Sequence, residues 1–205
     1  MRPLLAAPAR RGGGRRAVRS LRNRGRLHGS PGVSLFVRHP RITGLAAALL
    51  VFVLDQWVKA QMVWSLKLRE VGMIEVLPFF NFTWTENYGV SLGLLTADST
   101  EMRWLLVALT GAIALAVFVW MLREKNFADV YGLALVLGGA LGNIRDRVTL
   151  GYVIDYADLH FGSFRPFLIF NIADAAITIG VLIILARTLF SREKPEAEAE
   201  TAPES

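Results

Sequence analysis

Apolar residues along this chain are blocked rather than scattered. Trp104 to Leu122 is 19 residues without a formal charge, long enough to cross about 30 Å of hydrocarbon at about 1.5 Å per residue. A second apolar block starts near Ile42 with GLAAALLVFVL, meets Asp55 and Lys59, and fades at Trp64. A third runs from about Phe127 to Ile144 and a fourth from about Pro166 to Leu189. The expected fold class is therefore a mainly α membrane protein with four transmembrane helices, over about 42–64, 104–122, 127–144 and 166–189. The span at 104–122 has no polar feature and is expected to be lipid-facing scaffold. The other three each carry ionisable residues.

Between the first two spans, residues 65–102 are too long for a turn and too apolar for a free linker. IEVLPFFNFTW is rich in aromatic and β-branched residues and is bounded by Gly72 and ENYG. This pattern predicts one or two short strands lying on the membrane surface. The result is a small β-rich surface segment on a helical bundle.

Composition agrees with a membrane protein: 53% of residues are hydrophobic and mean hydropathy is +0.41. The net charge of +6 is unevenly divided. Residues 1–41 hold 11 Arg and no acidic residue, which leaves −5 on the remainder. A basic arm of this kind can bind nucleic acid. Attached to a membrane span it is more economically a disordered cytoplasmic anchor obeying the positive-inside rule, and no nucleic-acid partner is expected. Four spans then put both termini in the cytoplasm and residues 65–102 and 145–165 on the periplasmic side. The tail, 191–205, is polar and acidic and reads as solvated. The arm lacks a signal-peptide cleavage pattern and reads as uncleaved.

Absence of cysteine removes disulfides, thiol catalysis and Cys-ligated zinc. His28, His39 and His160 are too few and too dispersed for a metal site. Gly89-Val90-Ser91-Leu92-Gly93 matches a nucleophile elbow, but no suitable base or parallel-sheet pattern accompanies it, so the match reads as coincidence. Asn87 and Gly89 are of more interest, one offering a neutral amide and the other close backbone approach.

The chemistry concentrates in carboxylates. An ionised Asp at the centre of a membrane helix costs roughly 2.5–3.5 kcal/mol, so intramembrane carboxylates usually face protein or a watery cavity. Asp55 and Lys59 in DQWVK are one helical turn apart and can neutralise each other, either with Lys59 snorkelling to the interface or as support for a polar cavity. GGALGNIRDR places small residues at the end of the third span, followed by Asn143, Arg145, Asp146 and Arg147. Asp155 in GYVIDY falls in the loop returning to the membrane. Asp174 in FNIADAAITIG is expected about 12 Å into the fourth span, with Asn171 on the same helical face. Two carboxylates brought together could share one proton, one acting as base toward water and the other as acid toward a carbonyl oxygen.

Taken in order, DQWVK, TENYG, GALGNIRDR, VIDY and FNIAD resemble the lipoprotein signal peptidase family, also called signal peptidase II, over roughly residues 42–190. The resemblance implies a bacterial inner-membrane aspartic endopeptidase. Such an enzyme removes signal peptides from diacylglyceryl-modified prolipoproteins, cutting on the amino side of the lipidated Cys near the periplasmic face. It makes Asp155 and Asp174 the catalytic pair, with Asn87, Gly89, Asn143, Asp146, Arg147, Asn171, Asp55 and Lys59 binding substrate or bracing the site. No metal or cofactor is called for, the non-substrate partner is membrane lipid, and a monomer is expected. Ser91 and Leu92 depart from the family pattern, as does the long arm. Two other classes compete with the peptidase reading: an ion- or proton-coupled transporter using intramembrane carboxylates, and a non-catalytic lipid-binding protein.

Overall fold

A computed structural model describes residues 40–89, 100–162 and 164–190; Ser91, Leu92, residues 1–39 of the arm and the acidic tail lie outside the described residues, while Pro40 and Arg41, expected in the arm, open the first helix. The element order is α1 (Pro40–Ala60), continued by a π-helical turn (Gln61–Ser65), α2 (Leu68–Val71), β1 (Met73–Leu77), β2 (Phe80–Asn87), α3 (Thr100–Arg123), α4 (Phe127–Thr149), β3 (Val153–Leu159) and α5 (Ile172–Phe190). Among the described residues, α1 with its π turn, α3, α4 and α5 are long and apolar enough to cross a membrane.

α4 is the hub of the bundle, packing against α1, α3 and α5. Its sequence permits this because small residues line the contact faces. A Cβ on Gly138 would lie 2.5 Å from the Ala48 carbonyl oxygen of α1, and one on Gly139 would collide with the Ala173 carbonyl of α5. On the other side of that contact, a Cβ on Gly180 would strike the Gly132 carbonyl. Val130, Leu133, Ala134 and Leu137 of α4 close the core with Ala48, Ala114 and Met121. α3 meets the bundle along a narrow strip and leaves Leu105, Leu109, Ile113 and Leu115 exposed, as expected of a lipid-facing helix.

The aromatic segment forms the expected strands. β1 and β2 pair antiparallel, with Ile74 opposite Phe82, and the hairpin is joined by a third strand that the hydrophobic pattern does not announce. β3 pairs antiparallel with β2, Asn81 opposite Asp158 and Asn87 opposite Val153, with a bulge between Phe82 and Thr85. VIDYADL is therefore a strand rather than a loop. A second core seats this sheet on the end of α1: Met62, Leu68, Ile154, Tyr156 and Ala157, surrounded by Val58, Phe80, Phe82 and Trp84.

The last span begins later than the apolar run implies. Residues 166–169 are irregular, Phe170 bridges antiparallel to Ala157 of β3, and α5 opens at Ile172. Asp174 accordingly sits in the first helical turn, not about 12 Å inside the span. Asn171 precedes the helix instead of sharing its face.

Candidate active site

Asn171 and Asp174 stand three apart at the mouth of α5 and cap it reciprocally. The backbone N–H of Asp174 donates to Asn171 Oδ1 (2.9 Å), and the backbone N–H of Asn171 donates to Asp174 Oδ2 (3.2 Å). This capping box satisfies two amide groups that a helix start otherwise leaves unpaired. A third, Ala173 N–H, donates to Asp55 Oδ1 of α1 (3.0 Å). Helix start and site are thus one hydrogen-bonded unit, with Asp174 where the helix macrodipole favours negative charge.

Asp155 reaches the same unit from β3. Its Oδ1 accepts from Asn171 Nδ2 (2.6 Å) and its Oδ2 from Asn87 Nδ2 (2.9 Å). Asp174 Oδ1 accepts from Asn143 Nδ2 (2.8 Å), and Asn143 Oδ1 in turn accepts from Asn171 Nδ2 (3.3 Å). Two carboxylates from consecutive elements, β3 and α5, are thereby bridged by neutral amides. Asp155 is 1% exposed, while Asp174 is half-buried and lines an apolar cavity of about 300 Å³ with Phe167, Leu168, Phe170, Ala175, Thr178 and Ile179. Burial, and after it the charge of Asp174, push the Asp155 carboxyl up to about 6, against the opposing hydrogen bonds from Asn87 and Asn171.

Behind this pair lies a buried charge cluster. Lys59, 2% exposed, does not snorkel to an interface. Its ammonium contacts Asp55 Oδ2 at 2.9 Å and Asp146 Oδ2 at 2.7 Å, and donates to Asn143 Oδ1 at 3.3 Å. An ammonium has only protons to offer, so it turns the Asn143 carbonyl toward itself and the Asn143 amide toward Asp174. Asp146 also accepts from the Ile154 N–H (3.4 Å), which ties α4 to β3 next to Asp155. Gly142 completes the fit, since a Cβ there would lie 2.5 Å from Asp55 Oδ2.

Arg147 of α4 is half-buried and stands beside Gly89. Its guanidinium Nη2 is 3.4 Å from where a Cβ on Gly89 would stand, and Asp174, Asp155 and Asp146 all act on it electrostatically. Gly89 has φ +98, and its N–H donates to Asn87 Oδ1 (2.9 Å). That turn spends the Asn87 oxygen locally and leaves the amide nitrogen for Asp155. All ten residues singled out from the sequence meet in this region.

Three further polar residues escape the sequence reading. Gln56 Nε2 donates to Asp146 Oδ1 (3.0 Å), Asp55 Oδ2 (3.1 Å) and the Gly142 carbonyl (3.2 Å), while Arg145 donates to its Oε1. Its position three residues before Lys59 was the available signal. Asp158, fully buried, accepts from Thr83 and Arg165. Its odd spacing from Asp155 on a strand places it on the opposite face, away from the pair. Glu86, the third, gathers a cluster of its own beside the end of β2.

The arrangement of two amide-bridged carboxylates over a buried lysine can be compared with known proteins. The family profile described as Signal peptidase (SPase) II matches residues 47–190. The chain belongs to the signal peptidase II family. Curated lipoprotein signal peptidases from Sphingopyxis alaskensis and Rhizorhabdus wittichii are each 53% identical to it over 160 residues, covering 78% of this chain and 92% of each relative. A solved bacterial membrane enzyme structure, obtained by the in meso method at 2.3 Å resolution, superposes with a TM-score of 0.63 at 32% identity, covering 77% of this chain and 94% of that one. This signal peptidase II is a multi-pass membrane protein and a peptidase. The transporter alternative finds no support in these comparisons.

Proposed function

We propose that this chain is an aspartic endopeptidase that removes signal peptides from diacylglyceryl-modified prolipoproteins, cleaving on the amino side of the lipidated Cys, with Asp155 and Asp174 as its catalytic pair. The observation that carries the reading is the amide bridge through Asn171 and Asn143, which holds two carboxylates from β3 and α5 in one site, one buried and one facing a cavity.

The pair shares a proton. The ionised carboxylate takes a proton from a water held between them, and the protonated partner donates to the scissile carbonyl oxygen as the water oxygen adds to carbon. The resulting tetrahedral gem-diol collapses when a proton returns to the leaving amine. A carboxyl titrating at about 6 suits such exchange near neutral pH. General acid/base help of this kind is worth about 10²- to 10⁴-fold, so orientation and charge stabilisation supply the rest. Arg147, beside Gly89, orients the peptide. The apolar cavity beside Asp174 takes a substrate side chain. The substrate's acyl chains lie against the spans, where each buried CH₂ contributes about 0.8 kcal/mol.

In this reading the Arg-rich arm and acidic tail are cytoplasmic, the pair works near the periplasmic face of the inner membrane, and the enzyme acts as a monomer among lipids. The test is cleavage of a diacylglyceryl-modified prolipoprotein by purified protein in detergent. Asp155→Asn and Asp174→Asn should each abolish it, and persistent cleavage by either variant removes the assignment.

A further inference from the structure

Residues alternate across a strand, so Asn87 faces Asp155 while Glu86 and Tyr88 face the other side of β2. On that side Glu86 is a point of convergence. Its Oε1 lies 3.2 Å from Arg69 Nη2 of α2 and accepts from Trp84 Nε1 (3.4 Å), and its Oε2 accepts from Tyr88 OH (2.8 Å). Tyr152, just before β3, stands beside it and interacts with it electrostatically. The rings of Tyr88 and Tyr152 meet at 5.5 Å. One carboxylate therefore ties together the residue after β2, the residue before β3 and the short helix α2. This knot stands at the end of the ladder where Asn87 pairs with Val153 and Glu86 with Ile154.

We propose that Glu86 is a positioning residue: by fastening the β2 and β3 ends together from behind, it holds the Asn87 amide on Asp155. The inference rests on the reading of Asp155 as half of the catalytic pair. Glu86 touches neither carboxylate, and acts through the backbone of its neighbour. Its charge is held in place for this role. Partial burial works against it, but Tyr88, Trp84 and Arg69 keep the Glu86 carboxyl below the usual carboxylate range. End pairs of a ladder open more readily than central ones, and Gly89 immediately beyond, with φ +98, offers no side chain to hold this end.

Positioning and simple electrostatics predict opposite signs, which makes the inference testable. Deleting a negative charge near Asp155 stabilises its ionised form and lowers its titration midpoint. Loosening the Asn87 hydrogen bond removes a partner of the ionised form and raises it. The other charged groups facing Asp155 are Asp174 from α5, Lys59 from α1 and Arg147 from α4, and none is altered in the variants.

The experiment uses the full chain in detergent and compares wild type, Glu86→Gln and the double variant Tyr88→Phe/Tyr152→Phe. Infrared difference spectroscopy follows the Asp155 carboxyl band, assigned by its loss in Asp155→Asn, and prolipoprotein cleavage is followed across pH. The expected result is a midpoint raised by about half a pH unit or more in both variants. In parallel, kcat falls about tenfold, the rate equivalent of losing one hydrogen bond to a charged acceptor, with KM little changed. An unchanged or lowered midpoint overturns the inference. Should Glu86→Gln fail to fold, Tyr152→Phe, which removes one hydroxyl, is titrated in its place and read the same way. Failure of wild type to cleave, or cleavage by Asp155→Asn, sinks the catalytic reading, while the infrared titration still decides the role of Glu86.

Discussion

Replacing Asp155 by Asn should make the protein relatively more stable as pH rises, and the size of the effect follows from its surroundings. The folded protein holds the Asp155 proton more tightly than the unfolded chain does, with the carboxyl moved from 3.8 to about 6 by burial and then by Asp174. A carboxylate raised in this way contributes its full stability below about 3.8, and that contribution is lost as pH rises through about 6. At about 1.4 kcal/mol per pH unit the loss is roughly 3 kcal/mol, with little screening because the residue is 1% exposed. The amide of the Asp155→Asn variant does not titrate and has no such dependence. It does carry a constant cost, since it offers one oxygen where Asp155 accepts from both Asn87 and Asn171. Leaving one of those donors unpaired costs about 1–3 kcal/mol at every pH. The test is thermal unfolding of both proteins in detergent at pH values from 4 to 8. At roughly 2–4 °C per kcal/mol for a chain of this size, the difference in Tm should move about 6–12 °C in favour of Asp155→Asn across that range. Parallel curves would refute the argument, because the other carboxylates are common to both proteins and cancel.

Lys59→Met should be strongly destabilising, by about 3–5 kcal/mol, because it leaves Asp55 and Asp146 buried without their shared cation; adding Asp55→Asn and Asp146→Asn should recover part of the lost Tm. Gly139→Ala should cost about 1–3 kcal/mol by overpacking, since the new methyl meets the fixed backbone of Ala173 rather than a movable side chain, and cleavage should fall with it because the same contact seats Asp174. Asn171→Ala removes the helix cap, worth about 0.5–2 kcal/mol, and also the bridge to Asp155; retention of full activity in a prolipoprotein assay would contradict the bridging role.

The sequence by itself determined the four spans, because hydropathy reports a transfer free energy that each residue carries wherever it sits. It also marked the polar groups within the spans, Asp55, Lys59, Asn143, Asp146 and Asp174, since an Asp, Asn or Lys inside such a segment is costly enough to stand out; Asp155, Asn87 and Asn171 lie outside the helices and were marked by the family motifs. Other features belong to partners distant along the chain. VIDYADL became a strand only because β2, about 70 residues earlier, supplied its hydrogen bonds. α5 opened at Ile172 rather than near Pro166 because its cap closes on Asn171 and its Ala173 N–H needs Asp55, more than a hundred residues away. Gln56 and Glu86 look like ordinary polar residues until folding surrounds them with donors and acceptors. Tertiary structure decided these points, for a hydrogen bond exists only between two groups in place, and the sequence lists the groups without their separation.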